Sequence, residues 1–348
     1  MLVQTNYRHQ LGVHCASAAL RNIHLQYTGA RWSEALCFGL ASGLNFTYVR
    51  EFGSPFYLIM GRGSSMESHF CDALGIRLEV RHSDDAERAW EHLRGQVERG
   101  VLMMIDADMF ELPYMVQRLN LLDGVHFGGH KALVTGYDAE AGTVQLADYA
   151  WHARCVVTVD ELKAARDSRR CPSRPRNASF RFHYPDRLPS LHSALVTALG
   201  TMVNQMRYPF LQFNGLPAIA RFCRQVPKWH ASMAPDELRL NCSLAAFMLE
   251  KAGTGGGAFR NLYARFLDEA STLLEAPALA EAASVYRILA RQWRDAAALL
   301  EASSLDPACG MYAPASGGQA LMTGIADNEM RGVDLIAGYL QHLSDAEE

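Results

Sequence analysis

A change of hydrophobic period partway along the chain limits its fold more than any other feature. Before about residue 185, compact apolar runs recur between Gly, Ser and charged residues: Phe56–Met60, Ile76–Val80, Val101–Ala107, Lys131–Tyr137, Thr143–Ala147 and Ala153–Val159. Runs of that length, bounded that way, are strand-like. Helical patterns at Ala16–Tyr27 and Asp84–Arg99 lie among them. Past Leu188 the strand pattern fades. Phe259, Leu262, Tyr263, Phe266, Leu267, Ala270, Leu273 and Leu274 share one helical face, and Ala278–Leu300 and Met330–Leu343 continue in that style. The expectation is an α+β domain over residues 1–185 followed by a mostly α-helical domain over 186–348. No fixed-period repeat accompanies the Ala-rich helices.

The stretch Ser168–Asn177 holds two prolines and four arginines, which exclude a regular element and predict an exposed boundary segment. It reads either as a basic patch for an acidic partner or as a solvated linker. With 348 residues, 49% apolar and 20% charged, the chain has ample material for a core, and its net charge of −4 argues against a nucleic-acid binder. Met1–Gln10 lacks the apolar stretch of a signal peptide, and no run is long enough for a membrane span. Eight scattered cysteines without a CxxC pair suggest reduced thiols and no zinc site. A cytoplasmic enzyme is the expectation.

Gly12-Val13-His14-Cys15 leads into Ala16-Ser17-Ala18-Ala19-Leu20, so Cys15 falls at the start of a helix built from small residues. Unpaired N–H groups and the positive end of the dipole favour a thiolate there. The cysteine's own N–H is a natural oxyanion donor. Taken alone, a buried structural cysteine is the commoner explanation. His130 opens the Lys131–Tyr137 strand, and the turn Asp138–Gly142 predicts a hairpin with Thr143–Ala147. The next residue, Asp148, then returns beside His130, where a carboxylate would fix the imidazole tautomer and stabilise its cation. His126 is the rival base.

The order Cys15, His130, Asp148 resembles the papain-like cysteine peptidases, most closely their peptidase-C39-like branch. That resemblance implies a nucleophile near the N-terminus on a long helix and a glutamine just before it in the oxyanion hole. Gln10 is the residue available for that place, one position nearer the cysteine than in papain-type enzymes.

Gly12–Cys15 together with Ser33–Phe46 resembles the N-terminal domain of the butirosin biosynthesis acyltransferase family. Glu250–Arg260, with Tyr263 and Phe266 following, resembles the domain of unknown function that accompanies it. The resemblance implies transfer of an acyl group from the phosphopantetheine thioester of an acyl carrier protein, through Cys15, to a small-molecule amine; in the butirosin case the acceptor is an aminoglycoside. No bound cofactor is expected beyond the carrier's phosphopantetheine. His14, Gly39, Gly255 and Gly256 are expected to contact substrate. The run Gly253-Thr254-Gly255-Gly256-Gly257 reads equally as a cradle for an anion or pantetheine arm and as a flexible loop. Hydrolysis, as a thioesterase or peptidase, is the second enzymatic reading, and a non-catalytic carrier-binding module is the third. The C-terminal helices leave room for a homodimer.

Overall fold

The computed structural model describes every residue except 1, 6, 51–53, 120–125, 172 and 348. Contacts divide the chain into two units. One comprises Met1–Glu34 and Gly75–Leu188, the other Ala35–Leu74 and Pro189–Glu348. A single boundary after residue 185 therefore captures only the last passage of the chain between units. Residues 35–74 fold with the helical part, because their short hairpin is too small to bury its own apolar face.

The first unit is built on a seven-stranded sheet, counted over the described residues. Its strands are β1 (Leu2–Gln4), β4 (Arg77–Arg81), β5 (Met103–Ala107), β6 (His130–Asp138), β7 (Thr143–Ala147), β8 (Cys155–Thr158) and β9 (Ser179–His183). The order is β4-β9-β5-β6-β7-β8, with β1 added to β6, and every pairing is antiparallel. Residues His130 to Gly136 of β6 are buried without alternation, the mark of a strand covered on both faces. Helices α4 (Ala86–Glu98), α5 (Pro113–Leu119) and α6 (Val159–Asp167) contribute Trp90, Leu93, Met115 and Leu162 to a core with Ile105, Val134 and Leu146. Helix α1 (Cys15–Thr28) also packs on β6.

Local chemistry accounts for several element ends in this unit. Asp85 caps α4 by accepting from the Arg88 N–H at 3.1 Å, and Thr158 with Glu161 forms a capping box on α6. Asp138 accepts from the Glu140 and Ala141 N–H groups in the β6–β7 turn, which closes on Gly142 at φ +62°.

The arginine segment is a correction to the sequence reading. No helix or strand forms over its described residues, as expected, but it is not a boundary linker: the chain goes on into β9, between β4 and β5. Ser168, Cys171, Pro175 and Asn177 are buried while Arg169, Arg170, Arg174 and Arg176 are exposed; Pro172 lies outside the described residues. One carboxylate organises it. Asp108 accepts from Ser168 Oγ at 2.6 Å and from the Phe110 and Phe127 N–H groups, and meets His126 Nδ1 at 2.7 Å. The Arg166 guanidinium, also buried, holds the Asn177 carbonyl at 2.8 Å.

In the second unit, helices surround one antiparallel pair, β2 (Leu44–Val49) and β3 (Leu58–Arg62). The strand expected at Phe56–Met60 thus begins two residues later. The helices are α2 (Glu34–Leu40), α3 (Met66–Leu74), α7 (Leu191–Arg207), α8 (Gly215–Gln225) and α9 (Pro235–Ala246). Then follow α10 (Arg260–Leu273), α11 (Pro277–Leu305) and α12 (Gly318–Glu347). No helix of the described residues is long and apolar enough to cross a membrane. Phe46 and Tyr48 pack on Phe222, with Trp293 stacked on Phe46 and Trp229 beside Tyr48.

At the centre of this core Arg260 and Glu329, both fully buried, pair at 2.7 Å. Trp293 Nε1 donates to the same Glu329 oxygen, and Arg260 Nη1 donates to the Gly61 and Ala258 carbonyls. Phe259 does not join α10; it stands at φ +70°, directing the chain so that Arg260 starts the helix inside the core.

Removing one partner of a buried ion pair strands the other charge, at a cost of about 3–5 kcal/mol. Arg260→Met is therefore expected to lower the stability of the helical unit by that order in denaturant unfolding. Arg260→Met combined with Glu329→Leu is expected to recover most of the loss.

Candidate active site

The site begins with the loop that delivers Cys15 to α1. Glu34 folds back over this loop, accepting from the Val13 N–H at 2.9 Å, the His14 N–H at 2.9 Å and Ser17 Oγ at 2.9 Å. Arg21 Nη1 lies 3.9 Å from the same carboxylate and Arg21 Nη2 donates to the Gln10 and Leu11 carbonyls. Gly12 permits this closeness: a Cβ there would stand 2.7 Å from Glu34 Oε2 and 2.5 Å from the Ala18 methyl. The glycine is required for space, not for its dihedral freedom.

All residues from Cys15 to Leu25 are buried, so the first three turns of α1 have no solvent face. Small side chains at positions 16 to 19 let it sit close to its neighbours, and its buried polar groups are satisfied. Asn22 donates to Tyr7 Oη and the Gln10 carbonyl, and His24 stacks on Trp32. No residue of the first turn of α1 is itself acidic; the carboxylate set against this helix start is that of Glu34.

β6 brings His130 to Cys15. Its Nε2 meets Asp148 Oδ2 at 2.7 Å across the β6–β7 hairpin. The other ring nitrogen is left to act on the Cys15 thiol, to which the ring is electrostatically coupled. Asp148 is buried and fixed from three directions. Tyr114 Oη donates to Oδ2 at 2.8 Å, and the Tyr149 N–H donates to Oδ1 at 2.8 Å. Tyr114, from α5, had no signature in the sequence: a tyrosine gains this role only when folding brings it to a carboxylate 34 residues away.

Electrostatics favour a charged pair. Burial would push the Cys15 thiol up, but the His14 charge and hydrogen bonds from His130 and His14 outweigh it and hold the group well below the ordinary thiol range. Burial would likewise lower His130, yet the Asp148 carboxylate and the sulfur raise it to about 10. The arrangement favours a thiolate beside an imidazolium. Burial and the Asp148 charge push the Tyr114 phenol well above its usual range, which keeps it a donor.

The remaining expected site residues are placed as follows. His14 is buried at the N-cap of α1, its Nδ1 accepting from the Ser17 N–H. Gln10 is half-buried and ties its carbonyl to Arg21 and Asn22. His126 partners Asp108, not Asp148, and packs on Phe110. Asp108, Glu111 and His126 are close enough to hold a metal ion, but Asp108 already receives the Ser168, Phe110 and Phe127 donors, and Glu111 pairs with Arg170. Their lone pairs serve the loop.

In the second unit, Gly39 is a packing residue: a Cβ would fall 2.0 Å from the Phe266 ring. The loop holding Gly255 and Gly256 carries its own anion. Gly257 N–H donates to Glu250 Oε2 at 2.7 Å and Gly256 N–H to Thr254 Oγ1 at 3.0 Å, while Arg294 closes on Glu250 at 3.1 Å. Two of this loop's N–H groups are thus engaged by the chain itself.

Two family models match the chain in succession. Residues 14–149 match the N-terminal domain of butirosin biosynthesis protein H, and residues 160–336 match a domain of unknown function, DUF4872. No curated protein matches it.

The charged pair makes alkylation of Cys15 by iodoacetamide a direct measure of its ionisation. The rate is expected to hold its plateau far below the ordinary thiol range, since a depressed group stays ionised until the pH falls through its lowered value. Exchanging His130 for Ala removes a cause of the depression, so the midpoint is expected to move to higher pH.

Proposed function

We propose, from the match of residues 14–149 to the N-terminal domain of butirosin biosynthesis protein H and of residues 160–336 to DUF4872, that the chain is an acyltransferase of natural-product biosynthesis working through a Cys15 acyl-enzyme. The observation that carries the reading is the buried His130–Asp148 pair at 2.7 Å, electrostatically coupled to a Cys15 thiol at the start of a buried helix. An all-antiparallel sheet with the nucleophile at the start of a buried helix is in keeping with a papain-like core.

The donor is a thioester on the phosphopantetheine arm of an acyl carrier protein, and the acceptor is an amine. Cys15 thiolate attacks the thioester carbonyl, forming one C–S bond. The Cys15 N–H, a donor without an intrahelical partner at the first helical position, faces the developing oxyanion. As the donor's C–S bond breaks, its sulfur takes the proton of the His130 imidazolium. The amine nitrogen next attacks the Cys15 thioester and neutral His130 accepts a nitrogen proton. Cys15 leaves as a thiolate, which its depressed pKa makes easy, and the resting pair is restored. Asp148 stays ionised throughout and orients the ring, with Tyr114 and the Tyr149 N–H holding its oxygens.

The exposed arginines of residues 169–176 suit an acidic carrier protein. Their loop is anchored by Asp108 and Asn177, so they are presented from a fixed base and not from a free linker.

Incubation with an acyl N-acetylcysteamine thioester and intact-mass measurement tests the reading. A single acyl adduct is expected, absent from Cys15→Ala and discharged by amines. Wild-type turnover retained in Cys15→Ala would overturn it, and discharge by water alone would identify a thioesterase. Exchange of His130 for Ala is expected to lower the adduct rate by about 10²–10⁴-fold. Carrier affinity should fall with rising salt, and less steeply once Arg169 and Arg174 are changed to Ala.

A further inference from the structure

Helix α12 turns one face to solvent, and a groove of about 590 Å³ runs along it. Its apolar lining comes from Ala278 of α11 and from Met330, Leu335, Gly338 and Tyr339 of α12 itself. Met330 is 55% exposed there. Gly338 has no reason inside its own chain. Glycine is, after proline, the poorest residue for a helix interior, and close packing is the usual reason to keep one. Here an added Cβ would meet nothing within 4 Å, and the glycine's φ is not positive. A helix of another molecule, passing close at this point, supplies the missing reason.

Most charges of this face are spent within the chain. Arg331 pairs with Glu281 of α11 at 3.0 Å, and Asp334 pairs with Arg207 of α7. Asp327 and His342 are different. Both are exposed, they line the two ends of the groove, and neither has an ion-pair partner among the described residues.

Their places fit a second copy of the same helix. The lining positions follow the three- and four-residue spacing of paired helices, which cross at about 20°. With the helices antiparallel about a two-fold axis between Asp334 and Leu335, Asp327 of one copy faces His342 of the other, Met330 faces Tyr339 and Arg331 faces Gly338. Each contact is made twice. Acid meets imidazole, thioether meets aromatic ring, and a long side chain meets the residue that has none. A parallel pairing would instead set Asp327 on Asp327 and His342 on His342.

We propose that the protein is a homodimer in which α12 of each copy lies antiparallel on α12 of the other, in the register centred between Asp334 and Leu335. This interface belongs to the helical unit and is independent of the acyl-transfer reading.

Sedimentation equilibrium of the full chain tests it, and a concentration-dependent dimer is expected for the wild type. Gly338→Gln adds a side chain where its own copy has room and improves helix propensity, so circular dichroism should be unchanged. The dimer dissociation constant of that variant should rise about tenfold or more, because the added bulk falls at the crossing. Asp327→Lys sets a cation beside the imidazole and His342→Asp sets acid against acid, so each alone should weaken the dimer by about tenfold or more. Asp327→Lys and His342→Asp in one chain exchange the two charges and should bring the constant back to the wild-type value. Wild-type protein that stays monomeric would overturn the proposal and leave this face to a different protein. A dimer indifferent to Gly338→Gln would put the interface elsewhere, and single variants that weaken it without recovery in the double variant would reject the antiparallel register.

Discussion

The Asp148–His130 contact is the interaction on which the candidate site depends. At 2.7 Å, between groups excluded from water, it converts a ring that burial would leave neutral into one raised to about 10. Without that cation the Cys15 thiol would face the same burial penalty with one opposing influence fewer. The sheet supplies the geometry: β6 and β7 are joined by a tight turn, so residues 18 apart in sequence meet at the end of the hairpin remote from that turn. A register slip in this hairpin would separate them.

A second carboxylate governs the nucleophile's backbone. Glu34 engages the N–H groups of Val13 and His14 and the Ser17 hydroxyl, so the loop before α1 is fixed before chemistry begins. These amides are thereby removed from the set available to an oxyanion in the proposed reaction, which assigns that place to the Cys15 N–H. Asp108 does a comparable service for the arginine loop. In each of these three places one buried acid gathers donors from separate stretches of chain.

Much of this was legible in sequence because it is local. The strand and helix periods gave most elements of the first unit to within two residues, and β7 at Thr143–Ala147 coincides with its expected span. The Cys15 helix start and the His130 to Asp148 hairpin needed only a turn signal and a register argument. What was hidden depends on tertiary placement. Glu34 looks like any surface acid at a helix start, Tyr114 like any core aromatic, and Ser17 like a small packing residue. Ser168–Asn177 was misleading because its composition describes its exposed arginines, whereas its buried residues decide its course. The Gly255–Gly256 loop has a related feature that composition does not show: a glycine-rich run advertises free N–H groups, and Glu250 and Thr254 engage two of them.

The division of the chain also bears on how the protein is made. Residues 35–74 leave the ribosome early but belong to a unit whose remaining members begin at Pro189. The first unit, by contrast, is fully synthesised once Leu188 has emerged. The β2–β3 hairpin, with Phe46 and Tyr48 buried only in the finished fold, must wait through more than a hundred residues for its helical partners. During that interval an apolar two-stranded ribbon with open edges is a natural client for a chaperone and a seed for misassembly. A fragment ending near residue 188 inherits the same defect permanently, so a workable minimal version of the first unit would have residues 35–74 replaced by a short polar turn.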